Sequence, residues 1–178
     1  MSDKPAYQDE FESTRPDEIA PLIGKHLIYT YDNGWGYEVY IRNERAFDYR
    51  IHDGPLAGRW VNKQAAHIVR LADGVYKWSW DEPTGTVVSL AVNLNERIFH
   101  GATFFPAWIP LNYDKIALHQ NEHLDEMAHL RDQGPTYPKL VMDEFAQITF
   151  IEDRGRDNDE VIDRPPSEVP EGYMTRRN

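Results

Sequence analysis

The sequence contains no cysteine and no long apolar run. Without Cys among its 178 residues, it has no disulfide, no thiolate nucleophile and no cysteine-based metal site, which fits a reducing compartment. No stretch of about 18 apolar residues is present, so no membrane span is expected. The N-terminal residues lack the basic start and apolar stretch of a secretory signal. We therefore predict a cytoplasmic protein.

Positive charge is also scarce. The chain has 19 Lys and Arg against 30 Asp and Glu, for a net charge of −11. Nucleic-acid backbones and anionic membranes repel such a protein, so neither is expected as a partner. A small anionic substrate would need a local cation, which makes any inward-pointing arginine a candidate binding residue.

Aromatic residues, by contrast, are abundant, with ten Tyr and five Trp. They lie in short runs of alternating polarity between turn residues, at intervals of about 8–12 residues, a pattern typical of sandwiches and barrels. The predicted strands are 26–32, 35–43, 46–53, 57–62, 65–71, 75–81, 86–93, 97–105 and 144–152. One predicted helix, 119–133, ends at Gly134-Pro135. We predict an all-β fold, a single antiparallel β-barrel with this one helix late in the chain.

The ends of the chain differ from its middle in composition. Residues 1–21 are acidic and proline-containing, and we interpret them as a flexible N-terminal tail. Residues 22–162 form the predicted barrel domain. Residues 163–178 are charged and are predicted to lie over the surface or to be disordered. The late helix is placed to cover one mouth of the barrel.

Tyr29 and Tyr31 have the same parity in the first predicted strand, so both side chains lie on one face. An isolated tyrosine pair in a strand usually does no more than pack in the sheet. If residues 33–34 form a two-residue loop, Tyr37 faces away from Tyr29. If residues 32–34 form a three-residue loop whose glycine is left-handed, Tyr37 shares their face. We predict the three-residue loop, which gathers three phenols.

Two charged residues, Arg59 and Glu82, fall in predicted strands or at their ends. Taken alone, each is best interpreted as a solvent-exposed side chain. Gly58 beside Arg59 allows close backbone approach. If both point inward, a function explains them better than stability does, because burying an ion pair costs several kcal/mol per ion.

The segment 119–123 matches the H-x-x-E-H pattern of inverted zinc peptidases. Three fixed positions in five residues arise readily by chance, and no further ligand follows downstream. We therefore predict no metal site.

The sequence contains a series of short blocks in a fixed order: Tyr29–Trp35, Asp48–His52, Gly58–Val61, Trp80–Thr86, His100-Gly101, Phe104–Pro106, Trp108, Tyr137-Pro138, Glu144–Ala146 and Ile148–Phe150. Together these blocks resemble the phenolic acid decarboxylases of bacteria and fungi. Each block alone is weak, but their order over residues 22–162 is specific. Gly36 and Thr103 depart from the pattern of the family, which leaves substrate preference open.

The resemblance implies a lipocalin-like, homodimeric barrel without metal or organic cofactor. It also implies the conversion of p-coumaric, ferulic and caffeic acids to 4-vinylphenols and CO₂. The catalytic residues of the family carry over onto Tyr29, Tyr31, Arg59 and Glu82. The predicted substrate-binding residues are Tyr37, Glu144, Trp35, Thr86 and Phe105.

For this chemistry Glu82 is the predicted proton donor and Arg59 the group that neutralises the substrate carboxylate. The sequence leaves open whether the tyrosine pair holds the carboxylate or the phenolate. If the phenolate lies elsewhere, Tyr37 or Glu144 is its predicted partner. The alternative function is that of a lipocalin-like carrier of small aromatic acids without catalysis.

Overall fold

The computed structural model describes residues 13–178, and the nine strands in that range belong to one antiparallel sheet. The strands are β1 (Lys25–Tyr31), β2 (Gly36–Asn43), β3 (Ala46–Ile51), β4 (Trp60–Ala65), β5 (His67–Ala72), β6 (Val75–Asp81), β7 (Val87–Asn93), β8 (Ile98–Phe105) and β9 (Leu140–Asp153). Their order across the sheet is β4-β3-β2-β1-β9-β8-β7-β6-β5. The last strand, β9, therefore joins two halves of four strands each.

The two edges of the sheet come together, because only Ala66 separates β4 from β5 in the chain. At this seam the side-chain amide of Gln64 donates to the backbone carbonyl of Asp81 at 3.1 Å. The amide of Gln120, from the connection after β8, donates to Gln64 Oε1 at 3.0 Å. The sheet thus forms a nearly closed barrel, and the predicted fold class is confirmed.

The late helix is shorter than predicted. Helix α2 spans Leu124–Gln133 and is preceded by a 3₁₀ turn, Gln120–Glu122. The ring of His119 stacks on Trp60 with centroids 3.7 Å apart, and Gln120 is buried at the seam. These tertiary contacts hold the chain before Leu124 out of the helix. Among the described residues, no helix is long and apolar enough to cross a membrane.

Several strand boundaries also differ from those predicted, and two strands start three or more residues away from the predicted position. The strand expected at 57–62 begins only at Trp60, because residues 54–58 form a turn in which Ala57 N donates to Gly54 O at 3.1 Å. The strand expected at 144–152 begins earlier, at Leu140, because it pairs with β8 from Phe105 onward.

Part of the predicted N-terminal tail is folded. Residues Pro16–Ile19 form a short helix, α1, and Ala20–Leu22 form a 3₁₀ turn. The side chains of Ile19 and Leu22 are fully buried in the main core, so the packed unit begins before residue 22. Residues 1–12 of that predicted tail lie outside the described residues.

Strands β1, β2 and β3 are buried on both faces. In β6–β8 buried residues alternate with more exposed ones, as in a barrel wall with one solvated face. In β1–β3 consecutive residues are buried instead. The inner face points into the barrel, and the outer face is covered by the chain that follows β9.

This covering segment, residues 154–178, contacts the outer face at several points. Val161 and Ile162 pack with Tyr40 in a small second core. The Asn178 side chain accepts from the backbone N–H of Ile151 at 3.1 Å. Residues 163–178, predicted as a tail, therefore lie along the barrel wall in contact with it.

A buried carboxylate, Glu38 on the outer face of β2, ties this segment to the sheet. Its oxygens lie 2.7 Å from both His26 Nε2 and His52 Nε2, and 2.6 Å from Arg50 Nε. Tyr173 of the covering segment donates to it at 2.8 Å. Burial alone would raise the pKa of Glu38, but these hydrogen bonds and the Arg50 charge outweigh it and lower the pKa well below its usual range.

We expect Glu38→Gln to destabilise the protein at neutral pH by about 3–5 kcal/mol, because it leaves a buried arginine without its counter-charge. A depressed carboxyl pKa contributes stability above the unfolded-state pKa of about 4.3, and that stability is lost as the pH falls further. Urea denaturation at several pH values measures both effects: the variant should lose less stability than the wild type on acidification.

Glu44→Gln is the matched control, because Glu44 pairs with Arg156 at the protein surface. Its removal should cost at most about 1 kcal/mol. Equal destabilisation by the two substitutions would contradict the role assigned to Glu38.

Candidate active site

The β1–β2 hairpin brings three tyrosines to the inner face of the barrel. Gly34 has φ +90°, and Tyr31 N donates to Trp35 O at 2.9 Å across the loop. Tyr29 is directly opposite Tyr37 in the register of the two strands. The loop thus has three residues, as predicted, and the left-handed glycine is what aligns the three phenols.

These three aromatic rings form a compact cluster. Their centroids are 5.6 Å apart for Tyr29 and Tyr31, 5.9 Å for Tyr29 and Tyr37, and 5.1 Å for Tyr31 and Tyr37. Burial raises the pKa of each phenol well above its ordinary value. The cluster therefore offers hydroxyl donors, not phenolates, at neutral pH.

Arg59 and Glu82, the two charges of the site, are both buried and in contact. Arg59 Nη2 donates to Glu82 Oε2 at 3.0 Å. Gly58 places Arg59 there, because its φ of +101° and its lack of a side chain let the backbone pass Ala117, whose carbonyl oxygen would lie 3.2 Å from a Cβ. Glu82 follows β6 directly, where Glu82 N donates to Thr86 O at 2.9 Å and closes the β6–β7 turn.

Tyr49 and Gln120 complete this charge pair, and sequence reasoning missed both. Tyr49 Oη accepts from Arg59 Nε at 2.9 Å and donates to Glu82 Oε1 at 2.6 Å. Gln120 Oε1 accepts from Arg59 Nη2. The parity of Phe47, Tyr49 and Ile51 in one strand was a usable signal for Tyr49, whereas Gln120 is brought in only by tertiary structure.

Most predicted site residues line one cavity. It contains the predicted residues Tyr29, Tyr31, Tyr37, Arg59, Glu82, Thr86 and Phe105. Tyr49 and Thr103 line it as well, so the departure from the family pattern at position 103 does lie at the cavity.

The other two predicted substrate-binding residues, Trp35 and Glu144, line an adjoining hollow that shares Tyr37 and Phe105 with the cavity. Glu144 Oε2 is buried and has no hydrogen-bond partner among the described residues. Such an oxygen can accept a hydrogen bond from a bound molecule.

Gly36, the other departure from the family pattern, does not face the cavity. It lies between Trp35 and Tyr37, so its own position points to the outer face of β2. A Cβ there would lie 2.7 Å from Asp53 Oδ2 and 3.0 Å from Met174 Cε of the covering segment. The absent side chain therefore makes room for that segment and does not shape the substrate pocket.

The H-x-x-E-H segment makes other contacts. His119 Nε2 lies 3.1 Å from Asn62 Oδ1, and His123 Nδ1 lies 3.2 Å from Glu126 Oε2. Within residues 13–178, no group of three or more His, Asp or Glu side chains is arranged to hold a metal ion.

Comparison with known proteins places this arrangement in a family. The family profile described as "Phenolic acid decarboxylase (PAD)" matches residues 19–176. The phenolic acid decarboxylase PadC of Bacillus subtilis (strain 168) is 53% identical over 147 residues, which cover 83% of this chain and 91% of that protein. A protein named "Probable phenolic acid decarboxylase" from Vibrio cholerae serotype O1 is 46% identical over 157 residues, or 88% of this chain and 90% of that protein. The resemblance stated from the sequence is thereby confirmed.

The buried phenols of Tyr29, Tyr31, Tyr37 and Tyr49 should stay protonated in the native protein at a pH of about 11, where unfolded tyrosines, with a pKa of about 10, are largely ionised. Burial also raises the pKa of Tyr173 well above its ordinary value, so near-ultraviolet absorbance should detect at least five fewer phenolates in the native than in the denatured protein. Since the native state retains these protons, the free energy of unfolding should fall as the pH rises above about 10.

Tyr137→Phe is the control for this titration, because Tyr137 is 81% exposed. It should remove one phenolate from the native count, whereas Tyr49→Phe should leave that count unchanged. Identical titration of native and denatured protein would contradict the buried cluster.

Proposed function

The chain belongs to the phenolic acid decarboxylase family, and from that premise we propose that it converts 4-hydroxycinnamic acids to 4-vinylphenols and CO₂. As a member it is a carboxy-lyase, and the substrates we propose are p-coumaric, ferulic and caffeic acids. The observation that carries the proposal is the Arg59–Glu82 contact, buried in a cavity walled by aromatic rings and protonated phenols. A barrel that only carried aromatic acids could use Arg59 to bind a carboxylate, but it would gain nothing from a buried carboxyl group beside that arginine.

The chemistry explains why a para-hydroxyl is needed. Direct loss of CO₂ from a cinnamate would leave an unstabilised vinyl carbanion. If the phenol ionises, its electrons move through the ring and the alkene, and the carbon that bears the carboxylate takes up a proton. This gives a quinone methide. The bond to the carboxylate then breaks, CO₂ leaves, and the electron pair of that bond restores the aromatic ring and the vinyl group.

Arg59 and Glu82 fit the carboxylate end of this reaction. We assign Arg59 to the substrate carboxylate and Glu82 to protonation of the adjacent alkene carbon, since contact between the two side chains puts both groups within reach of one end of a substrate. General acid catalysis of this kind is typically worth about 10²–10⁴-fold in rate. Tyr29 and Tyr31 donate hydrogen bonds to the carboxylate in this orientation.

Glu144 fits the opposite end. Its Oε2 is buried, has no hydrogen-bond partner within residues 13–178, and lies in the hollow that continues from the cavity past Tyr37 and Phe105. We propose that it accepts the proton of the substrate phenol and returns it after CO₂ has left. The long axis of the substrate then runs from Arg59 to Glu144, with Trp35, Thr86 and Phe105 along its sides.

This route uses only protein side chains and the substrate. We accordingly propose an enzyme without metal or organic cofactor. A homodimer and a cytoplasmic location are also proposed, on the resemblance to the family, and sedimentation of the purified chain measures the first of these.

We expect the purified protein to release CO₂ and 4-vinylphenol from p-coumarate in the presence of excess chelator. Cinnamate without the para-hydroxyl should bind but remain unchanged, because it cannot form the quinone methide. Product analysis by chromatography tests both. Turnover of plain cinnamate would overturn the mechanism, and binding of p-coumarate without turnover would favour a carrier.

Glu82→Gln should lower kcat for p-coumarate by about 10²–10⁴-fold, because the amide cannot deliver a proton. Glu144→Gln should lower the rate too, but less for substrates whose phenol is more acidic, since less help is then needed at that end. Glu96→Gln, at an exposed position in the β7–β8 turn, is the control and should leave kcat unchanged. If Glu82→Gln retained wild-type kcat, the assigned proton donor would be wrong.

A further inference from the structure

The hydrogen bonds of Arg59 leave no donor free for a substrate. A guanidinium has five N–H groups. Nε–H goes to Tyr49 Oη, and one Nη1–H goes to the carbonyl of Ile116 at 2.9 Å. The acceptors for the remaining three are Met127 Sδ at 3.8 Å, Glu82 Oε2 and Gln120 Oε1. A substrate carboxylate can therefore bind Arg59 only by displacing one of these acceptors.

The groups that contact the Glu82 carboxyl are hydrogen-bond donors, which favour its anionic form. Tyr49 Oη donates to its Oε1 at 2.6 Å and Trp80 Nε1 lies 3.3 Å from the same oxygen, while Arg59 donates to Oε2. Indole and guanidinium nitrogens are donors only, so the carboxyl accepts from both. The reaction nevertheless requires Glu82 to carry a proton and to turn an oxygen toward the alkene.

Three acceptors on Arg59 line the cavity, namely Tyr49, Ile116 and Glu82, and Glu82 is the one whose negative charge a proton can neutralise. Displacing the Ile116 carbonyl would strand a buried backbone oxygen, which costs about 1–3 kcal/mol. Glu82 can instead take up a proton and lose its negative charge. Keeping both carboxylates ionised beside one buried arginine would be unfavourable, because like charges at short range disfavour ionisation.

We propose that substrate binding is a partner exchange at Arg59, coupled to the uptake of one proton by Glu82. This inference rests on the proposed function. The substrate carboxylate replaces Glu82 on Arg59 Nη2, and a solvent proton neutralises Glu82, so the site keeps one cation and one anion. Glu82 then gives this proton to the alkene carbon, CO₂ leaves, and the Glu82 anion returns to Arg59.

The stoichiometry of the reaction agrees with this sequence. A carboxylate substrate that becomes a vinylphenol and CO₂ consumes one proton per turnover. In the exchange, Glu82 takes up that proton at the binding step. The phenolic proton moves to Glu144 and returns to the product, so it does not change the balance. Tyr49, which bonds both Arg59 and Glu82, acts as a positioning residue that favours the anionic form of Glu82 until substrate arrives.

Calorimetric titration with 3-(4-hydroxyphenyl)propanoate tests the exchange directly, because this probe has both polar ends of the substrate but no alkene to protonate. The dependence of the binding enthalpy on the ionisation enthalpy of the buffer gives the protons taken up. At a pH of about 7 we expect about one proton per probe for the wild type and about zero for Glu82→Gln.

Steady-state kinetics with p-coumarate provide a second readout. Since the free enzyme must gain a proton, kcat/KM should fall as the pH rises, by up to about tenfold per pH unit, while kcat stays level. The Tyr49→Phe variant lacks one hydrogen bond to the Glu82 anion, so Glu82 should be protonated more easily. The decrease in kcat/KM should therefore begin at a higher pH than in the wild type. Tyr76→Phe, which alters a core tyrosine that does not line the cavity, should reproduce the wild-type profile.

The outcomes separate the two proposals. Failure of the wild-type chain to turn over p-coumarate would overturn the proposed function and the exchange with it. Normal turnover with no proton uptake and a level kcat/KM would overturn the exchange alone. Uptake of a full proton by Glu82→Gln would place the titrating group elsewhere and would also overturn it.

Discussion

The burial of the Arg59 guanidinium is the constraint around which the interior of this barrel is arranged. Removing a cation from water costs several kcal/mol unless its donors find partners. These partners come from distant parts of the chain: Tyr49 from β3, Glu82 from the end of β6, Ile116 and Gln120 from the connection after β8, and Met127 from α2. The same connection covers the seam between the sheet edges. The residues that supply hydrogen-bond acceptors to Arg59 therefore also help to close the barrel.

The strands that carry the phenols of the cavity are also packed on their outer face, against the covering segment. Strand β2 presents Tyr37 to the cavity and Glu38 to the outer face, and β3 likewise presents Tyr49 inward and Arg50 outward. The outward residues form an ionic cluster that Tyr173 of the covering segment closes. The covering segment therefore contacts the same strands that line the cavity, although no residue of that segment lines the cavity itself.

The proposed reaction needs few charged groups. In the mechanism that we propose, Arg59 is first the partner of Glu82 and then the partner of a substrate carboxylate, and a single proton moves from solvent to product through Glu82. The phenols add donors that stay protonated because they are buried. A buried cavity walled by aromatic rings strengthens each of these interactions, since hydrogen bonds and charges are screened less there than in water.

Much of the fold and part of the site could be predicted from local sequence. Alternation of polarity located most strands, and the three-residue turn at Gly34 placed Tyr37 beside Tyr29 and Tyr31, because strand parity and turn chemistry are properties of neighbouring residues. The order of short motifs indicated the family, and through it Arg59 and Glu82. Tyr49 had the right parity but was not singled out.

Tertiary structure alone decided the rest. The Gln120 contact with Arg59 and the hydrogen bond of Tyr173 to Glu38 join residues far apart in the chain. The late start of α2 and the burial of Glu144 Oε2 likewise depend on tertiary packing. Such contacts depend on which surfaces meet after the sheet has curled and closed. The sequence by itself therefore determined a barrel with phenols on one inner face. Only the tertiary structure showed that Arg59 and Glu82 are buried partners and which other residues contact them. In the sequence, each of these charged residues was equally well explained as a solvent-exposed side chain.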